Sequence, residues 1–220
     1  MSNEMIVPNM GVAKFADDKT FTEVASGNFL PRLQLFGGNS EAVKESKIGM
    51  AHYGIVRDKS LTDLGKEPAI LILSWRPKAL EIKDGQVTSI FDPKSPEFKR
   101  IAAASELPDS GCMYGPEFLV YVPQEKVFCT FLMGSKTARR AAPEVKALMG
   151  RAATLKSQFI KTPKYSWHGP VVTICSTTFE LPPETEMREV VQKFNNPPES
   201  EEEAVPEDVK TEATPEGRER

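Results

Sequence analysis

The chain has 220 residues, three cysteines and a formal net charge of −3. That length suits one domain able to bury a core without covalent staples. Cys112, Cys129 and Cys175 are odd in number and lie far apart, which excludes a disulfide framework or a zinc spacing and suits a reducing cytoplasm. The N-terminus MSNEMIVPNMG has no basic region before an apolar stretch, so no signal peptide is expected. The longest apolar run, Ala69 to Trp75, falls far short of the roughly 20 residues that span a bilayer.

Residues 1–28 are weakly patterned and are expected to form an extended arm. Leu30 to Phe36 alternates apolar and polar residues like a half-buried strand, ended by Gly37-Gly38-Asn39-Ser40. Ile48 to Arg57 predicts a second strand, weakened by Gly54, and Asp63-Leu64-Gly65 a turn. Ala69 to Trp75 predicts a buried strand stopped by Pro77. Asp84-Gly85 joins Ala79–Lys83 to Gln86–Phe91 as a hairpin.

Pro96 to Leu107 predicts a helix capped by Ser95, with Pro96 in its first turn and Phe98, Ile101 and Ala102 on one face. Glu117–Val122 and Val127–Met133 pair across Pro123-Gln124-Glu125-Lys126. A helix from about Thr137 to Met149 follows, closed by Gly150, with Pro143 either kinking or dividing it. Ala153–Lys161 and Val171–Cys175 are the closing strands, and Pro182–Phe194 a terminal helix. Beyond Asn195 the chain holds Glu, Pro, Ala, Thr and Val without aromatics, which cannot bury enough surface to fold. The expected architecture is α+β, mainly β: an antiparallel OB-like barrel or sheet with two or three short helices. It comprises an arm (1–28), one β-rich domain (29–194) and a disordered acidic tail (195–220).

Charge is divided sharply. From Ser135 to Pro170, Lys136, Arg139, Arg140, Lys146, Arg151, Lys156, Lys161 and Lys164 oppose only Glu144, a balance of +7. From Asn195 to Arg220 nine acids oppose Lys210, Arg218 and Arg220, a balance of −6, so the body carries about +3. Phe159, Tyr165 and Trp167 lie among the cations, the last two in an expected loop. Cations follow a phosphate backbone, and exposed aromatic faces stack bases at about 1–3 kcal/mol each. Trp75-Arg76-Pro77-Lys78 is a second cation and aromatic group.

No catalytic pattern competes with binding. His52 and His168 have no accompanying carboxylate motif, and Gly134-Ser135-Lys136-Thr137 lacks the spacing of a phosphate-binding loop. HExxH, GxSxG, GxGxxG and EF-hand patterns are absent, so neither an enzyme nor a cofactor or metal site is expected.

Leu30–Phe36, Trp75–Leu80 (WRPKAL), Ser110–Met133 (SGCMYGPEFLVYVPQEKVFCTFLM), Gly134–Arg140 (GSKTARR) and Ala153–Thr177 resemble proteins encoded by tailed bacteriophages. The organisation is similar to that of phage single-stranded DNA-binding proteins, with an OB-type body, a cationic aromatic groove and an acidic C-terminal tail. The resemblance implies a DNA-binding protein of replication or recombination in the host cytoplasm, its tail tuning affinity and recruiting replication or recombination proteins. One departure is the ending Gly217-Arg218-Glu219-Arg220, where such tails commonly carry a terminal aromatic.

The expectation is therefore sequence-tolerant binding of single-stranded DNA, without membrane contact. Arg76, Lys78, Lys136, Arg139, Arg140, Arg151, Lys156, Lys161 and Lys164 supply cations, and Trp75, Tyr165 and Trp167 supply stacking faces. A virion structural or assembly protein, and an inhibitor or adaptor that binds a host enzyme, are the alternatives.

Overall fold

The computed structural model describes residues 24–25, 30–57, 60–83, 86–107, 110–163 and 165–196. The expected acidic tail beyond Asn196 lies outside them, as does nearly all of the arm. The described chain is mainly β, an open mixed sheet of ten strands with four helices. In chain order these are β1 (Val24–Ala25), β2 (Arg32–Leu35), α1 (Glu41–Lys44), β3 (Tyr53–Arg57), β4 (Ser60–Gly65), β5 (Ala69–Lys83) and β6 (Gln86–Ile90). There follow α2 (Pro96–Ala104), β7 (Cys112–Val122), β8 (Val127–Leu132), α3 (Lys136–Ala147), β9 (Ala152–Lys161), β10 (Ser166–Ile174) and α4 (Glu184–Asn195).

The main path runs β1-β6-β5-β7-β8-β2-β3-β4, antiparallel except where Arg32 of β2 meets Thr130 of β8 in parallel. Strand β9 joins the start of β5 through Ala69–Leu71 and carries β10 on its other edge. One edge of β5 thus serves β9 at its beginning and β6 at its end, while β7 lines the other edge.

The long β5 overturns the expected stop at Pro77. Pro77 faces Pro116 across the ladder, and neither imide can donate to its partner. The pair therefore occupies a non-hydrogen-bonded position, and the Pro77 nitrogen turns to the edge between the β9 and β6 pairings, where it breaks no ladder. A bulge between Ile72 and Ser74 shifts the register on the way. It leaves Ile70, Ile72 and Trp75 on one face, and Leu71, Leu73, Ser74 and Arg76 on the other.

The first face forms the main core. Ile70 and Ile72 pack with Phe118, Val120, Phe131, Ala153, Leu155 and the Ala138, Ala142 and Val145 stripe of α3. Farther along it, Ala79, Ile90 and Cys112 receive Phe98 and Ile101 of α2, whose Ser95 hydroxyl caps the Phe98 N–H at 3.1 Å as expected. On the second face, Met187, Val191 and Phe194 of α4 cover Leu71, Leu73, Leu119, Tyr121 and Phe128. Three to four residues separate the α4 contacts, the spacing of one helical stripe.

Other expectations shift in smaller ways. Asp63-Leu64-Gly65 ends a strand paired with β3 rather than forming an isolated turn. α3 is one helix that carries Pro143. The short α1 is additional to the expected helices. α4 extends to Asn195, which is buried, so the folded body includes the first residue assigned to the tail.

Candidate nucleic-acid interface

Helix α4 covers only half of the second face. The rest is fixed by register: Leu80 lies opposite Met113 and Ser89, Ile82 opposite Val87, and Glu117 opposite both Arg76 and Leu132. Arg32 and Gln34 of β2 extend this face past Thr130. Beyond the single Arg32–Thr130 pairing, β2 and β8 separate, and β10 comes alongside with Trp167, His168 and Pro170. The resulting cleft has a volume of about 420 Å³. Its mouth keeps Ile82, Val87 and Met113 at 40–48% exposure, an apolar shelf on a protein surface.

Its base is ionic. Glu117 accepts from Arg76 Nε at 2.8 Å through one carboxylate oxygen and from Lys78 Nζ at 2.6 Å through the other. All three residues are buried. Burial opposes the charged form of Glu117, but the charges and hydrogen bonds of Lys78 and Arg76 outweigh it and hold its carboxyl below the usual range. Arg76 also donates to the Phe194 carbonyl near the C-terminus of α4. Its guanidinium lies 3.8 Å from the Phe91 ring centre and 4.1 Å from that of Phe194. This corrects the expectation of Arg76 and Lys78 as surface cations. Arg76 is sealed between α4 and the sheet, and Lys78 lies at the cleft's base, already paired.

The β9–β10 hairpin stands beside the cleft. Thr162 closes it, its N–H bonding the Tyr165 carbonyl at 2.8 Å and its hydroxyl accepting from the Tyr165 N–H at 3.0 Å. Tyr165 is 72% exposed and Phe159 57%. Trp167 belongs to β10 rather than a loop, and its indole N–H donates to Thr137 Oγ1 at 3.0 Å, tying the hairpin to α3. A glycine is required two residues later, since a Cβ at Gly169 would stand 2.6 Å from the Thr137 methyl. Phe159 lies outside against His168, ring centres 5.2 Å apart.

The structure brings Trp167 to the α3 turn that carries Lys136 and Arg140, while Lys161 and Tyr165 lie at the hairpin tip, Lys161 on the face opposite Trp167. Lys136 and Arg140 are exposed one turn apart on α3, whose first turn adjoins Trp167, and Lys161 sits opposite Ser166 in the hairpin. It does not bring in the others. Arg139 is engaged by Glu106 at 2.5 Å and the Gly134 carbonyl at 2.6 Å, above the Tyr114 ring. Lys156 pairs with Glu67 at 3.2 Å and is about 16 Å along β9 from Lys161; the exposed Arg151 is about 33 Å from it along the chain. Trp75 packs against the main core under the Lys146 ammonium, 3.2 Å from the ring centre. Lys164 lies outside the described residues.

Sequence reasoning missed Arg32, Gln34, Ile82, Val87 and Met113. Leu80, Ile82 and Val87 carry the clue, because alternation across the Asp84-Gly85 hairpin puts all three on one face. What faces them could not be read before β5 was known to pass Pro77. Among the described residues no group of three or more His, Cys, Asp or Glu side chains could hold a metal ion, and no helix is long and apolar enough to cross a membrane. No family model, curated protein or solved structure matches the chain.

Proposed function

We propose that the protein binds single-stranded DNA without strong sequence preference and serves phage replication or recombination. The observation that carries this reading is the placement of the β9–β10 hairpin beside an open cleft on the outer sheet face. Trp167 there adjoins the first turn of α3, the helix that carries Lys136 and Arg140, and Lys161 and Tyr165 stand at the tip of the same hairpin. Cations and exposed rings at one rim are what a sequence-tolerant strand needs.

Connectivity supports the same reading. β5, β7 and β8 form a meander, α3 follows, β9 returns to the start of β5, and β10 pairs with β9. Taken alone, these five strands follow an OB-like order, with β2 inserted where the barrel would close. In OB proteins oligonucleotides lie across the second and third strands between the 1–2 and 4–5 connections. Here those elements are β7, β8, the segment holding β6 and α2, and the β9–β10 hairpin, of which β6, β7, β8 and β10 line the cleft together with β2 and β5.

The mechanism is non-catalytic. Lys136, Arg140 and Lys161 contact phosphates, Tyr165 and Trp167 stack bases, and the acidic residues beyond Asn196 compete for the same cations and recruit partner proteins. A gel-shift titration against single-stranded DNA, duplex DNA and RNA tests the reading. Preferential retardation of single-stranded DNA is expected, and equal indifference to all three would end it.

A further inference from the structure

The base of the cleft has polar capacity that the fold does not use. Two buried cations, Arg76 and Lys78, share the single carboxylate of Glu117. Arg76 is accounted for by Glu117, the Phe194 carbonyl and two aromatic faces. Lys78 is not. Its ammonium has three protons to donate and, among the described residues, one acceptor, Glu117 Oε1. Lys78 lines the cleft, so a polar ligand group entering there can take up its remaining donor capacity.

The walls call for a flat apolar body. Ile82, Val87, Leu80 and Met113 are cross-strand neighbours that form a continuous shelf, and Trp167 lines the same cleft. We propose that the cleft receives one base of the bound strand, laid on this shelf with an exocyclic carbonyl oxygen accepting from Lys78. This rests on the single-stranded DNA reading and adds a preference to it. A base with a carbonyl, such as thymine or hypoxanthine, fills the vacant acceptor position. Adenine has an amino group there and leaves Lys78 unsatisfied. One position of the strand is then recessed and chosen, while its neighbours track the cationic rim.

The test uses the full chain with 13C-labelled methionine methyl groups, the Met113 resonance being identified by its loss in Met113→Ala. The protein is titrated with dIMP and dAMP, which differ at the purine 6-position by carbonyl against amine, and separately with labelled oligo-dT followed by anisotropy. Expected are a Met113 shift that saturates with dIMP at a concentration at least five-fold below dAMP, and loss of that difference in Lys78→Met. Lys78→Met leaves Arg76 and Glu117 as a balanced pair. Should it not fold, Val87→Glu at the exposed mouth replaces it and should abolish the dIMP shift. Equal responses to the two nucleotides, or an unmoved Met113 in a protein that still binds oligo-dT, overturn the inference and leave the DNA reading standing. Failure to bind oligo-dT removes both.

Discussion

The Asn195 side chain, at the last position of α4, accepts a hydrogen bond from Ser74 Oγ at 2.9 Å in the middle of β5, with both residues buried. The C-terminal end of the folded body is thereby fastened to the strand that carries Arg76 and Lys78. Removing one partner leaves a buried hydroxyl or amide unsatisfied, at a cost of about 1–3 kcal/mol. Asn195→Ala should lower the urea midpoint accordingly. Ser74→Ala combined with Asn195→Ala should cost less than the two singles together, as a double-mutant cycle can measure.

That fastening also relocates the start of the tail. Truncation before Asn195 removes a structural contact, whereas truncation after Asn196 leaves every described contact intact. Deleting residues 197–220 should tighten binding to oligo-dT at low salt. Unchanged or weaker affinity would remove the competing role assigned to the acidic residues.

Glu117 is the residue whose loss should damage the body most. Glu117→Gln leaves Arg76 and Lys78 buried without their counter-charge, a loss of about 3–5 kcal/mol. Acid titration carries the same signature. The folded carboxyl titrates below its ordinary value of 4.5. Its contribution is therefore complete above the unfolded value and is lost as pH falls through the depressed folded one. Denaturation midpoints measured from about pH 6 to pH 3 should fall on the acid side, and Glu117→Gln should flatten that fall.

Cysteine chemistry separates core from surface. Burial raises the Cys129 thiol to about 12 and raises Cys112 to a smaller degree, with Glu81 adding to the effect. The half-buried Cys175 should be alkylated first in the native protein, and Cys129 only after unfolding. Mass spectrometry after timed iodoacetamide exposure follows the order. Early modification of Cys129 would contradict the packing of β8.

Much of this body is legible in the sequence where local chemistry decides. Ser95 with Pro96 marks the α2 start, Asp84-Gly85 marks the β5–β6 hairpin, and the run from Pro182 to Phe194 marks α4. The failures come where pairing overrides a local rule. Pro77 reads as a strand end because its missing N–H matters only if a neighbour needs it, and Pro116 opposite does not. Arg76 and Lys78 read as surface cations because Glu117, some forty residues later, is invisible at that distance in sequence. Lys161, Tyr165 and Trp167 are legible because one hairpin holds them. Lys136 and Arg140 join them only through the packing of α3 against β10.

Single-residue binding measurements should divide the cations and aromatics along these lines. Tyr165→Ala should weaken oligo-dT binding by about 1–3 kcal/mol, or roughly 5- to 150-fold. Trp75→Phe, at a ring packed on the core, should leave affinity within about two-fold of the parent. The reverse pattern would move the interface away from the hairpin.

The most direct measurement is the anisotropy of a labelled oligo-dT titrated with the full chain across a range of salt. With Lys136, Arg140 and Lys161 each neutralising a phosphate, log affinity should fall against log salt with a slope of about −2. No measurable binding at low salt, or an affinity indifferent to salt, would contradict the account.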